Sequence, residues 1–435
     1  MSSLLYDLCA RLFPILAGVG VGTNLGLLQI FFALLSGRFL SNRGALVPAL
    51  AEMGLSEEAV RRSVQALAYG RWNIKALIDA WQKVVGAEGR FRPHRYGGFR
   101  PVAVDLVGFF RSHLQGQVGK HYTSRAGKAL PALVFGMVAS VGSVGNKRLP
   151  ILRDLVRQRA NETESDLQKR VLRETMATLA KDEAIVVDAG FGITELLKHP
   201  QAAFVARLDQ NVTARRNSLP AAKSKGRPAE YGEVVRPLAR TYKRKTIPAT
   251  RPDKVVRWKA GRYTLRAHVF ENLVLKDARP GSATFQIVVI FDPRYTRPLI
   301  LATNRPLSAF DLWGLYRDRW PVEQMPLAAK QILGCERAFV FGDESRWRLP
   351  ELAMLAGNLL AYVAACRPAV STGFWDRCAR PTCGRIRRSL SRASFSDLPL
   401  PVGVFRKKES PTAHLPKGVS AHRRQKRPSL VLATP

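Results

Sequence analysis

The segment EAIVVDAGFG, from Glu183 to Gly192, contains three β-branched residues in a row, followed by an aspartate and a glycine-rich turn. A short apolar run of this kind predicts a buried strand, with Asp188 at its carboxyl end. FRPVAVDLVGFF, from Phe99 to Phe110, repeats the arrangement, with an apolar strand over Val102–Val104 that ends at Asp105. Ligands of open α/β sheets collect beyond the carboxyl ends of strands. The two aspartates are therefore candidates for one site.

The segments around these two strands predict an α/β domain. The apolar stretch from Lys128 to Gly142 is strand-rich, and Ala202 to Asp209 is a short strand that carries Arg207. An amphipathic helix is predicted over Glu164–Asp182. From about 211 to 297 the sequence is polar, basic and interrupted by prolines, with strand patterns such as TFQIVVIF. We expect a β-rich insertion there.

The first 90 or so residues have a helical pattern. From Ala45 to Trp72 the sequence predicts a short helix and then a second helix capped by Ser56. This spacing suits a helix-turn-helix, in which Arg61, Arg62 and Arg71 would be available to a DNA duplex. A plain helical bundle fits the same pattern equally well.

One apolar stretch, Leu12 to Gly37, is uncharged and long enough to span a bilayer. Five glycines, Asn24 and Gln29 weaken that interpretation, and no second span accompanies it. The alternative is a pair of buried helices divided by the glycines at 18, 20 and 22. We expect the alternative, and therefore no membrane partner.

The chain is strongly basic. Its 435 residues include 69 Lys and Arg against 33 Asp and Glu, a formal net charge of +36. Such an excess repels itself in a compact fold unless a polyanion neutralises it, and nucleic acid is the first candidate. A ribosomal protein or a protein of anionic membranes would fit the composition alone. Five cysteines, an odd number, predict no disulfide framework and favour a reducing compartment.

A second charged segment, YRDRWPVEQMPLAAK, spans Tyr316 to Lys330. On a helical repeat, Tyr316, Arg319, Glu323 and Lys330 would share a face about 60° wide. Two prolines interrupt a regular helix, so we expect the helix to begin near Val322. A carboxylate that binds metal beside cations that bind phosphate is the functional interpretation, and a solvated charged face is the ordinary one.

The three acids suggest phosphoryl transfer only when they are taken together. An aspartate just after a strand is more often a helix cap or a turn residue. Carboxylates are, however, the ligands that Mg²⁺ prefers, and two such ions can activate a nucleophile and stabilise a leaving oxygen. Asp105, Asp188 and Glu323, in a chain of this charge, are consistent with that chemistry.

The spacing of this segment resembles a known signature. Tyrosine, two residues, arginine, three residues, glutamate, six residues and lysine match the Y-R-E-K signature of the insertion-sequence-four family of DDE transposases. Asp188 in VVDAGF resembles the second catalytic aspartate of that family, and Asp105 in VAVDLVGFF the first. The intervals of 83 and 135 residues suit members with a long β-rich insertion. Three rival aspartates follow no comparable strand at a suitable distance: Asp154, Asp182 and Asp209.

The resemblance implies an α/β fold with a ribonuclease-H-like catalytic core. It covers about Phe99 to Cys366 and implies a catalytic domain over 96–370, with the β-rich insertion at about 211–297. The helical region over residues 1–95 fits the N-terminal DNA-binding domain of the usual family plan. Residues 371–435 would form a basic, flexible C-terminal region.

The function implied by the resemblance is that of a DNA transposase of an insertion sequence. Asp105, Asp188 and Glu323 would be catalytic and would hold two Mg²⁺ or Mn²⁺ ions. The enzyme would cut transposon ends to release a 3′-hydroxyl and join it to target DNA. DNA-binding roles would fall to four residues: Tyr316, Arg319, Lys330 and Arg207.

The implied partner is double-stranded DNA, bound by a homodimer in the synaptic complex, in the bacterial cytoplasm with the nucleoid. Some members form a hairpin and stack a flipped base on an aromatic of the insertion. Leu299 and Ile300 stand where that aromatic is expected, and Trp258 or Trp313 could substitute for it. Two other functions also fit: a structure-specific metal nuclease of the same fold, or a non-catalytic DNA-binding regulator derived from a transposase. A recombinase that uses Tyr316 covalently fits less well, because the set of Arg and His residues that it needs is not apparent.

Overall fold

The computed structural model describes residues 2–111, 119–221, 227–369, 371, 373–401 and 403–405. The described chain has a mixed α/β architecture with one large sheet and helices on both of its faces. The α-helices are α1 (Ser2–Ala17), α2 (Thr23–Leu35), α3 (Arg38–Ser41), α4 (Leu46–Ala51), α5 (Glu57–Tyr69), α6 (Ile74–Glu88), α7 (Glu164–Thr178), α8 (Ile193–Leu197), α9 (Ala309–Arg317), α10 (Gln324–Leu327), α11 (Ser345–Cys366) and α12 (Cys383–Leu390).

The strands of the described chain all lie between α6 and α9 in sequence order, interrupted by α7 and α8. They are β1 (Phe91–Pro93), β2 (Arg100–Phe110), β3 (Gly119–Thr123), β4 (Lys128–Val144), β5 (Lys147–Arg157), β6 (Glu183–Val187), β7 (Ala203–Arg207), β8 (Ala214–Arg216), β9 (Val234–Val235), β10 (Arg240–Tyr242), β11 (Lys245–Ile247), β12 (Lys254–Ala260), β13 (Tyr263–Leu275), β14 (Phe285–Phe291) and β15 (Leu299–Thr303).

The middle of the large sheet is built from five strands in the order β5-β4-β2-β6-β7. Strands β5, β4 and β2 are antiparallel neighbours, whereas β6 and β7 run parallel to β2. The helix α7 connects the antiparallel part to the parallel part. Strand β6 is buried along its whole length, as expected of a parallel strand that is covered on both faces.

The predicted insertion is β-rich, as expected, and it extends the sheet. Beyond β7 the strand order continues β15-β14-β13-β8-β9, and all of these pairings are antiparallel. The reason is that β14, FQIVVIF, is apolar on both faces and is buried except at its last residue, so it belongs inside a sheet. The insertion therefore shares the sheet that carries the candidate site.

Alternate residues of the strands enter different cores. Val102 and Val104 of β2 pack in the cluster under α7, while Ala103 packs on the opposite face with α6 and α11. The helix α9 packs on that opposite face as well, against Val186 and Val205 of β6 and β7. Residues one apart point to opposite faces of a strand, so this pattern sets which face each later residue reaches.

The N-terminal helices are part of the main core. Helices α1 and α2 are separated at residues 18–22, so the prediction of two buried helices is confirmed for Leu12–Gly37. The side chain of Ser56 accepts from the Ala59 N–H, which confirms the predicted cap of α5. These helices share one hydrophobic cluster with the sheet and α11, without a packing boundary near residue 95.

A buried amide ties the helical region to the sheet. Asn358 of α11 accepts from Trp81 Nε1 of α6 at 2.8 Å and from the Leu152 N–H of β5 at 3.0 Å. Its Nδ2 donates to the Pro150 carbonyl at 2.8 Å. Asn358 is 0% exposed, so all three bonds are shielded from water. The amide therefore fixes α6 and α11 to the same strand.

Within the described residues, one helix, α11, is long and apolar enough to cross a membrane by length and composition. The most apolar window of that helix is 83% buried inside the protein, as in the core helix of a soluble protein.

The beginning of the C-terminal region is packed on the N-terminal helices. Phe405 is fully buried, with its ring centroid 4.9 Å from that of Phe13 in α1. Asn24 donates to the Val404 carbonyl at 2.8 Å. The prediction of a flexible region is therefore wrong for α12 and for residues 403–405. Residues 406–435, which contain much of the basic tail, lie outside the described residues.

Candidate active site

Asp105 lies in the interior of β2, and the prediction that the strand ends there is wrong. Strand β2 pairs with β6 only as far as Ala103, but its pairing with β4 continues to Phe110. At Asp105 the strand is therefore still paired with β4 but no longer with β6, so the edge of β2 that faced β6 is unpaired there. Its Oδ1 accepts from the Leu106 N–H at 2.9 Å.

Asp188 directly follows β6, as predicted. The register pairs Ala103 with Val186, and each aspartate lies two residues beyond a member of this pair. Both are therefore expected on the sheet face that Ala103 and Val186 occupy, which α9 and α11 cover. Asp188 Oδ1 accepts from the Ala189 N–H at 2.8 Å.

The segment from Tyr316 to Lys330 is a series of short helical turns. After α9 come a 3₁₀ turn at Trp320–Glu323, then α10, then a π-helical turn at Ala328–Ile332. The expected regular helix from Val322 is thus replaced by segments of three different pitches. Pro321 falls in the first turn of the 3₁₀ segment, where its missing N–H is tolerated.

Arg319 lies between the three predicted catalytic acids. Its Nη1 is 3.2 Å from Asp105 Oδ2, and its Nη2 is 2.9 Å from Glu323 Oε1 and 3.5 Å from Asp188 Oδ2. The Arg319 side chain is 4% exposed, whereas that of Glu323 is 47% exposed. Acids 83 and 135 residues apart in the chain thus converge on one guanidinium.

Two further predicted residues contact Asp188. The Tyr316 hydroxyl donates to Oδ1 at 3.1 Å, and Arg207 Nη1 lies 3.5 Å from the same oxygen. Tyr316 is buried, while the Arg207 side chain is 45% exposed. Arg207 thus lies at the solvent edge of the site.

Lys330 is not part of this carboxylate cluster. Its Nζ donates to the Gly108 carbonyl of β2 at 2.6 Å and lies 5.1 and 5.5 Å from the ring centroids of Phe109 and Phe110. The structure thus brings six of the seven predicted residues together. The seventh, Lys330, contacts β2 at Gly108, three residues after Asp105.

The surroundings shift the acid–base equilibria in different directions. Burial raises the pKa of Asp105 to about 6, against the opposing effect of Arg319. Burial also acts to raise the pKa of Asp188, but Arg319, the Ala189 N–H and other neighbours outweigh it, so this pKa lies below its ordinary value. Burial lowers the pKa of Lys330 from 10.5 to about 8. The two aspartates are therefore chemically distinct.

The carboxylates are of the right kind to hold Mg²⁺ or Mn²⁺, since these hard cations prefer oxygen ligands. Among the described residues, however, no group of three or more acidic, histidine or cysteine side chains stands arranged to hold a metal ion. The guanidinium of Arg319 occupies the space in which the three carboxylates meet.

Asp318, which precedes Arg319, is a residue of the site that was not predicted. This aspartate is 0% exposed, with His94 Nδ1 at 2.7 Å from Oδ2 and Arg148 Nε at 3.2 Å from Oδ1. These contacts hold the turn before Arg319 against β5 and the residue that follows β1. A single acid between Arg317 and Arg319 was the only signal in the sequence.

The two tryptophans considered for base stacking pack on each other. The Trp258 and Trp313 ring centroids are 6.2 Å apart, and Arg317 lies 4.4 Å above the Trp313 ring. Trp313 is 9% exposed, so little of its surface is available to a base. Trp320, beside Arg319, is 58% exposed.

Comparison with protein-family profiles and with curated proteins gave no match for this chain.

Proposed function

We propose that the chain is a DNA transposase of an insertion sequence, which cleaves transposon-end DNA with divalent metal ions and transfers the strand to target DNA. The observation that carries the proposal is the convergence of Asp105, Asp188 and Glu323 on Arg319 within 3.5 Å. Acids with perturbed pKa values cluster at functional sites, and these three come from distant parts of the chain to meet in one partly buried site.

The fold supports the proposal at a coarser level. A mixed sheet with three antiparallel strands, two parallel strands and helices on both faces is compatible with the ribonuclease-H-like core that the resemblance implies. Two of the acids belong to adjacent central strands or their ends, and the third is on the helical segment that packs over them.

The residues that would hold the metal ions are Asp105, Asp188 and Glu323. When bound, two such ions would activate the attacking oxygen and stabilise the leaving oxygen of an in-line displacement. Asp105 and Asp188 are fixed by backbone N–H groups, and Glu323 is the most exposed of the three. The protein thus offers two rigid ligands and one that can adjust.

Binding of the DNA backbone would use the cations around the carboxylates. A scissile phosphate repels nucleophiles until its charge is neutralised. Arg207 is half exposed at the edge of the site, and Lys330 donates to the Gly108 carbonyl on the strand that contains Asp105. Arg319 can bind two phosphate oxygens at once, whereas Lys330 supplies a point charge. The excess of basic residues would hold the rest of the duplex.

The proposal extends to partners and location. Double-stranded DNA at the transposon ends and at the target would be bound by a homodimer, in the bacterial cytoplasm with the nucleoid.

The experiment uses labelled DNA that carries the inverted repeats flanking the gene, with Mg²⁺. The proposal predicts nicks with free 3′-hydroxyls and strand-transfer products. Glu323→Gln should abolish nicking and leave DNA binding intact, while Glu174→Gln, on α7 at the opposite face of the sheet, should retain both.

The alternatives would give different products. Nicks without strand transfer would indicate a nuclease, and binding without nicks a regulator. A covalent adduct on Tyr316 would indicate a tyrosine recombinase. Any of these three results would refute the proposal.

A further inference from the structure

Arg319 cannot perform its proposed phosphate contact in the position that it occupies. Its side chain is 4% exposed, and both of its terminal nitrogens are directed to carboxylates. Nη1 contacts Asp105, and Nη2 contacts Asp188 and Glu323. A guanidinium that is neutralised and covered in this way is not available to a DNA phosphate.

The position of Arg319 has a clear electrostatic reason. Three carboxylates in a partly buried site repel one another, and the repulsion is strong where water is excluded. Of the basic residues that the structure describes, Arg319 is the one that contacts all three. Arg207 reaches Asp188 alone and is 45% exposed, so water screens it more. Arg319 is therefore the counter-ion that keeps the acids together.

A metal ion would need the same oxygen atoms. Divalent cations carry more charge than a guanidinium and would repel it at short range. We infer that Arg319 is a positioning residue that holds Asp105, Asp188 and Glu323 together before metal binding, and that it leaves them for the DNA phosphate when divalent cations take its place. This inference rests on the proposed function, and it adds an order of events to it.

The surroundings of Arg319 allow its side chain to move while its backbone stays in place. Asp318 is fixed by His94 and Arg148, which anchors the turn. The guanidinium lies 5.7 Å from the ring centroid of Tyr316 and 5.6 Å from that of Trp320. Because the Trp320 ring is 58% exposed, the guanidinium could keep a cation–π contact with this ring while it moves towards solvent.

The first test measures Mn²⁺ binding by calorimetry to the full chain without DNA. Arg319→Gln removes the competing cation, and the Mn²⁺ Kd should fall by at least about tenfold relative to wild type. Arg216→Gln is the matched control, because it removes a guanidinium that pairs with a carboxylate, Asp253, at 2.7 Å outside the site. Its Kd should stay within about threefold of wild type. Equal affinity of wild type and a folded Arg319→Gln variant would refute the inference.

The second test uses wild type only, so it holds even if the variant does not fold. Phenylglyoxal modifies accessible guanidinium groups, and mass spectrometry locates them. Arg319 should resist modification without Mn²⁺ and react readily with it. Arg170, 8% exposed and paired with Glu162 at 2.7 Å, is an internal reference that should stay protected in both conditions. Protection of Arg319 that persists when Mn²⁺ is bound would refute the exchange.

Different results would contradict the exchange of Arg319 for metal and the proposed metal chemistry itself. Suppose that wild type binds Mn²⁺ and Asp188→Asn does not. If Arg319→Gln then binds Mn²⁺ no more tightly than wild type, and Arg319 stays protected from phenylglyoxal, only the exchange is wrong. If neither wild type nor Arg319→Gln binds Mn²⁺, with or without DNA, the proposed metal chemistry and the exchange are both wrong.

Discussion

Replacement of Lys330 by methionine should stabilise the protein in a pH-dependent way. The Lys330 ammonium is half-buried against Phe109 and Phe110, and its hydrogen bond to the Gly108 carbonyl does not restore the lost hydration. Burial lowers its pKa from 10.5 to about 8, and a shift of one pKa unit corresponds to about 1.4 kcal/mol. The folded state therefore carries a penalty of about 3 kcal/mol below pH 8.

The sign of the effect follows from proton binding. Between pH 8 and 10.5 the unfolded chain keeps this proton and the folded chain releases it, so stability rises with pH across that interval. Below pH 8 both states are protonated and the penalty is complete. Above pH 10.5 both are neutral and it vanishes.

Urea unfolding of wild type and Lys330→Met at pH 7, 8, 9 and 10.5 measures the effect. The free energy of unfolding of Lys330→Met minus that of wild type should be about 3 kcal/mol smaller at the highest pH than at the lowest, because wild type loses its penalty as pH rises. Lys169→Met, at an exposed position on α7, should show a difference that does not depend on pH. A constant difference for Lys330→Met as well would refute the argument from burial.

Three further changes test the packing around the site. In denaturant titration, Asn358→Leu should lower the free energy of unfolding by about 3 kcal/mol, because it leaves Trp81 Nε1 and two backbone groups of β5 without partners. An unchanged midpoint would contradict the role of the buried amide. Asp318→Ala should lower the free energy of unfolding by about 2 kcal/mol in denaturant titration, since it leaves His94 Nδ1 and Arg148 Nε without their buried partner, and an unchanged midpoint would contradict the anchored turn. Phe405→Ala should cost about 3 kcal/mol in thermal unfolding, because the ring is fully buried, and a neutral result would mean that the C-terminal region does not pack on α1.

Local patterns in the sequence were sufficient to predict β6, the strand that Asp188 directly follows. A short β-branched run flanked by a turn is buried in any α/β fold, so both the strand and the aspartate after it could be predicted. The end of β2 could not be predicted, because it depends on β4, whose pairing residues lie from Ala132 to Ser140. No periodicity within β2 itself reports the length of a partner strand.

The position of Lys330 shows a second limit. A uniform helical repeat placed it with Tyr316, Arg319 and Glu323, but the segment contains 3₁₀ and π turns, which rotate the chain by different angles per residue. Over the first seven residues the difference is small, and the three side chains still meet near Asp188. Over fourteen residues Lys330 reaches the Gly108 carbonyl instead. The two prolines indicated that the helix is interrupted, but they did not indicate which turns take a 3₁₀ or a π pitch.

Replacement of Mg²⁺ by Fe²⁺ tests most directly the proposal that Asp105, Asp188 and Glu323 share bound metal ions. With ascorbate and peroxide, Fe²⁺ generates hydroxyl radicals that cut the nearest polypeptide. Mass spectrometry should find cuts close to residues 105, 188 and 323 in the same sample, all lost in Asp188→Asn or with excess Mg²⁺. Cuts at only one of these positions, or cuts that persist in Asp188→Asn, would contradict a shared metal site.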